Sequence, residues 1–87
     1  MHEQALMNDL MRKIEAEARS EGGRHVTRIR VRLGALSHFT ADHFREHFVD
    51  ASRGTVAEGA AVEVELAADP TEQNAQGVVL ESIELEL

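Results

Sequence analysis

His25-Val26-Thr27-Arg28-Ile29-Arg30-Val31-Arg32-Leu33 alternates with a period of two. In an extended strand, Ile29, Val31 and Leu33 share one face, and Arg28, Arg30 and Arg32 share the other. Two later stretches alternate in the same way with the opposite charge, Val62-Glu63-Val64-Glu65-Leu66 and Ile83-Glu84-Leu85-Glu86-Leu87. Opposite charges facing each other across a strand pair contribute about 0.2–1 kcal/mol each, and opposed like charges destabilise. Set side by side, the acidic strands would oppose glutamate with glutamate. An arginine strand between them finds carboxylates on both sides. The pattern therefore predicts a three-stranded sheet with strand 25–33 in the centre, flanked by 60–67 and 78–87.

Upstream of that strand, Leu6, Leu10, Ile14 and Ala18, with Met7 and Met11 beside them, recur at spacings of three and four. That is the stripe of an amphipathic helix over the first 20 residues, with Arg12, Lys13, Glu15 and Glu17 on its outer side. Gly22-Gly23 ends it. Downstream, Thr40 has the position of an N-cap. Phe39 before it and Phe44 four residues after it have the spacing of a hydrophobic staple. Phe44, Phe48 and Ala51 give the second helix its buried stripe, and Ser52-Arg53-Gly54-Thr55 ends it. Phe39, Phe44 and Phe48 are the chain's aromatic residues and are expected to be the heaviest part of the core. Ala67–Gly77 holds the lone proline and reads as a loop. Val78 and Leu80 differ in parity from Ile83, Leu85 and Leu87. A bulge near Glu81-Ser82 reconciles them, or else pairing starts at Ser82.

The order is helix, strand, helix, strand, loop, strand. A strand–helix–strand unit from 25 to 67 favours a parallel crossover, and the last strand then runs antiparallel to the centre. Both helices cover the apolar face. The fold class is α/β in composition and α+β in build: two layers, a mixed three-stranded sheet and two helices on one face.

The 87 residues suffice for one domain, 1–87, that buries on the order of 60–65% of its unfolded surface. There is no cysteine, so disulfides, thiolate zinc sites and a cysteine nucleophile are excluded for these residues, and no zinc is expected. The net charge of −7 argues against a nucleic-acid backbone as ligand. No stretch reads as a membrane span or leader, which makes the cytoplasm the expected location. No glycine-rich phosphate loop and no nucleophile–base pair is present, so no catalytic residue and no enzyme activity is expected.

Two groups could bind metal. At the chain start, Met1-His2-Glu3, a free amine, the His2 backbone nitrogen and its imidazole can close adjacent chelate rings. Such a set of nitrogen donors suits planar Ni(II) or Cu(II). His43 and His47, one helical turn apart with His38 nearby, can hold a divalent ion at a second site. The ordinary reading of that pair is two solvent-facing histidines beside Asp42 and Glu46. The arginine row could hold an anion, but its glutamate neighbours make a salt-bridge ladder the simpler reading.

Four blocks carry a resemblance. They are Met-His-Glu opening a helix, Val26-Thr-Arg-Ile-Arg-Val-Arg-Leu-Gly-Ala-Leu-Ser37, Phe48-Val-Asp-Ala-Ser-Arg-Gly-Thr-Val-Ala-Glu-Gly-Ala60 and Ser82-Ile-Glu84. Together they resemble the HypA/HybF family of nickel-incorporation metallochaperones for [NiFe]-hydrogenase and, in some bacteria, urease. The resemblance implies a nickel-binding domain of two helices on a small sheet, with Ni(2+) held at Met1, His2 and Glu3. It also implies work beside a maturation GTPase and docking on the hydrogenase large-subunit precursor or on urease accessory proteins. Relatives carry a zinc domain with two Cys-x-x-Cys pairs between the second and last strands; here the loop 67–77 stands in its place. His43 and His47 stand where relatives commonly have small apolar residues. The expected function is nickel delivery for hydrogenase maturation. The alternative is a docking module of that machinery that has lost metal delivery.

Overall fold

In the computed structural model, which describes residues 2–37, 39–71, 75 and 77–86, the arginine strand β1 (Val26–Leu33) lies between β2 (Ala61–Leu66) and β3 (Val78–Leu85). β2 is parallel to it and β3 antiparallel. Register sets Arg30 opposite Glu63, Arg32 opposite Glu65 and Arg28 opposite Glu84. Arg28 bonds Glu63 and reaches Glu84 at 3.7 Å, and Arg30 reaches Glu81 at 3.6 Å. These pairs are exposed, so each contributes about 0–1 kcal/mol. Their larger effect is on which strand sits beside which.

The parity conflict in the last strand is resolved by a bulge. Arg30 pairs with Ser82 and Val31 with Leu80, which leaves Glu81 as the extra residue. Val78, Leu80, Ile83 and Leu85 then all pack against the core, and pairing runs on to Val78 rather than starting at Ser82. A second register shift lies between Val26 and Arg28. It makes Thr27 the extra residue, and the Thr27 hydroxyl donates to the Glu84 carbonyl at 3.2 Å. Val26 thereby joins Ile29, Val31 and Leu33 in the core at 0% exposure, although its parity in the sequence is opposite to theirs. Leu66 shares the parity of Val62 and Val64 but is 60% exposed at the end of its edge strand.

Helix α1 (His2–Ser20) lies across β3 and beside helix α2 (Ala41–Ser52), which also meets β2. α1 buries Met7, Leu10, Met11, Ile14 and Ala18. Its end is a glycine-closed turn. The Gly23 N–H donates to the Ala18 carbonyl at 2.7 Å and that of Gly22 to Arg19 at 3.2 Å, with Gly22 at φ 104°. That pairing satisfies carbonyls the helix leaves open, in backbone that favours glycine. α2 starts at a cap, where the Thr40 side chain accepts from the His43 N–H at 3.1 Å. Phe39 and Phe44 meet edge to face, centroids 5.5 Å apart, as the staple spacing predicts. Phe44 and Phe48 are the largest fully buried side chains. The α2 side of the core is thus filled by three packed rings.

Candidate metal centre

α1 begins at His2, which puts Glu3 in its first turn. A carboxylate there is favoured by the positive end of the helix dipole. On α2, His43 and His47 are separated by four residues and so lie on one side of the helix. Each precedes a core phenylalanine, Phe44 or Phe48. At about 100° per residue, the pair borders the buried stripe instead of facing open water. Packing of α1 beside α2 brings that border to the start of α1.

The result is a triangle of donor atoms. His43 Nε2 and His47 Nε2 are 2.9 Å apart. Glu3 Oε1 is 3.6 Å from each of them. These are groups that could ligate a single ion, all within 4.8 Å of one another. The carboxylate facing the pair comes from α1, and Asp42 instead lies 3.6 Å from the Arg45 guanidinium on its own helix. The three side chains are half-buried, at 35–42% exposure. The Phe39 ring stands edge-on to both imidazoles, at 5.8 Å from His43 and 6.1 Å from His47. The staple residue therefore also forms a wall of this corner. At 2.9 Å, one imidazole nitrogen donates and the other accepts, with roles that exchange with the tautomer. Two carboxyls held below their ordinary pKa lie elsewhere. Asp9 is lowered chiefly by a hydrogen bond from Lys13, and Asp69 by one from Thr71.

Of the residues singled out in the sequence, Glu3, His43 and His47 come together, and His2 starts the same helix. Met1, His38 and the side chain of His2 lie outside the described residues. The convergence of Glu3 with the histidine pair was not foreseen. The available signal was the position of both histidines one residue before the buried phenylalanines.

The family model described as hydrogenase/urease nickel incorporation, metallochaperone, HypA matches residues 1–83. The chain belongs to the HypA family. The hydrogenase maturation factor HypA of Methylocella silvestris is 38% identical over 66 residues, 76% of this chain and 58% of that protein. The HypA of Chlorobium limicola is 32% identical over 65 residues, 75% of this chain and 56% of its own length. That of Archaeoglobus fulgidus is 34% identical over 64 residues, 74% and 58%. The chain thus spans just over half the length of the curated HypA relatives it matches. Among the described residues, no helix is long and apolar enough to cross a membrane. The HypA match reaches from the candidate metal corner through the central sheet into β3.

Proposed function

We propose that the chain is a nickel-handling accessory protein of hydrogenase maturation. It holds Ni(II) at Met1, His2 and Glu3 and passes the ion to a client. Three supports bear on this. The family model is described by nickel incorporation and metallochaperone. The nitrogen-rich chelate of an amine, an amide and an imidazole suits planar Ni(II). The observation that carries the reading is the start of α1 at His2. The first four N–H groups of a helix have no partner within it. The His2 amide can therefore turn into a metal ligand without breaking a helical hydrogen bond.

Glu3 extends the same set with a carboxylate. A site at a helix start, with few ligands and open coordination positions, releases its ion more readily than a closed four-ligand cage. In this reading the 67–77 connection closes the sheet in place of a zinc domain, and nickel handling proceeds without zinc. The partners are a hydrogenase large-subunit precursor and a maturation GTPase, with urease accessory proteins as further clients.

The test is nickel titration of protein that begins at Met1, followed by calorimetry and absorption. The wild type is expected to develop the spectrum of planar, nitrogen-ligated nickel. His2→Ala and an N-terminal extension are each expected to remove that spectrum. A spectrum unchanged by either one contradicts the assignment.

A further inference from the structure

We propose that Glu3, His43 and His47 form a three-ligand site for one divalent first-row transition ion, lodged between the starts of α1 and α2. It is separate from the amine-and-amide chelate and shares only Glu3 with it. The inference extends the nickel reading but does not depend on the N-terminal nitrogens.

The spacing of the donors is the first argument. Imidazole nitrogens bind such ions at about 2.0–2.1 Å and carboxylate oxygens at about 2.0–2.2 Å. Two nitrogens 2.9 Å apart have the separation of neighbouring ligands that subtend about 90° at an ion with bonds of that length. The point equidistant from these two nitrogens and Glu3 Oε1, 3.6 Å from each, lies about 2.0 Å from all three, within the range of real metal bonds. An ion therefore fits just out of their plane with little movement of the side chains.

The second argument is preorganisation. The three donors come from two helices that pack against each other and contribute side chains to one shared core. Phe39, buried at 8% exposure, contacts both imidazoles edge-on and meets Phe44 edge to face. The Thr40 cap bonds the His43 backbone N–H. The rings are thus held by the staple that starts α2, and less rotamer freedom is lost on binding.

The third argument is charge. One carboxylate and two neutral imidazoles offer a single negative charge and three lone pairs to a cation. Coordination through both Nε2 atoms leaves both Nδ1–H groups free to donate outward. Two nitrogens and one oxygen, with open positions on the solvent side, suit Zn(II), Co(II) or Ni(II) and leave room for an incoming ligand to take the ion away.

Cobalt(II) is the probe, because its visible spectrum reports ligand number and geometry. Protein carrying a short N-terminal extension, which blocks the amine chelate, is expected to bind one Co(II) per chain. His43→Ala, His47→Ala and Glu3→Gln are each expected to weaken binding by at least the ~10–100-fold that loss of an outer-shell partner costs. Circular dichroism confirms that each variant is folded, and half-exposed positions tolerate these changes. Arg28→Ala, on the sheet beside Glu63 and Glu84, is expected to leave cobalt affinity within about twofold. No cobalt bound by the extended wild type, or equal affinity in the His43→Ala/His47→Ala double variant, overturns the proposal. Such a result leaves the nickel chelate standing, since that is read from a different spectrum in unextended protein. Loss of the planar nickel spectrum in the extended protein alongside retained cobalt binding supports both sites.

Discussion

The charged face of the sheet and the corner where α1 meets α2 both gather ionisable side chains within 4 Å of one another, and they do different things. On the sheet, each described contact joins a guanidinium to a carboxylate, Arg28 to Glu63 and Glu84 and Arg30 to Glu81. The face neutralises itself, and its information is spent on strand order. At the corner, the described contacts of the Glu3 carboxylate are to two imidazoles, and all three groups are electron-pair donors. Ordinary protein cations complete the first arrangement. The second has the composition and spacing that an external cation completes.

Phe39 links the corner to the core, and its removal is expected to have the largest effect. Phe39→Ala leaves a hole beside Phe44 and is expected to cost about 3–5 kcal/mol in urea unfolding, while weakening cobalt binding through the loosened imidazoles. Phe39→Leu is expected to restore most of the stability but less of the affinity. Equal recovery of both would show that the ring wall does not organise the donors.

Metal itself separates the two regions next. An ion present at 100 times its dissociation constant is expected to raise the unfolding free energy by about 2.7 kcal/mol. The gain should vanish in His43→Ala/His47→Ala and persist in Arg28→Ala. A gain lost in Arg28→Ala would place binding on the sheet.

The ladder should yield a smaller effect. Arg28→Ala is expected to change stability by no more than about 1 kcal/mol, and by less at high salt as screening takes over. Chemical denaturation at two salt concentrations measures it.

The smallest effect concerns pH and neither region. Lys13 hydrogen-bonds Asp9 and holds its carboxyl below the ordinary value of 3.8. A depressed folded pKa contributes stability that is fully present above 3.8 and is lost as pH falls through the folded value. Asp9→Asn should therefore flatten the acid limb of a stability–pH curve slightly. The side chain is about half exposed, so the flattening is slight.

The same contrast explains what the sequence makes legible. Alternating arginine and glutamate specify strand order because charge pairing and parity are local properties that survive into the sheet. The Glu81 bulge was readable because two apolar residues on one side of it disagree with those on the other. The Thr27 bulge was not, because the single off-parity residue Val26 leaves no pattern to contradict. Leu66 shows the limit of parity at an edge, where sharing a face with core residues does not bring burial. The cap and staple at Thr40, Phe39 and Phe44 follow from short-range spacing. The meeting of Glu3 with His43, 40 positions further along the chain, and with His47 depends on how two helices pack over one sheet. Periodicity says which side of α2 the histidines border, but only packing says which residue of α1 waits there.

The most direct test is an amide-resolved NMR titration of the folded chain with paramagnetic cobalt(II). Broadening that begins at Glu3, His43 and His47 and spreads to Phe39 and the first turn of α1 is the predicted result. Broadening that begins on the glutamates of β2 and β3, with the α1–α2 corner unaffected, would contradict it.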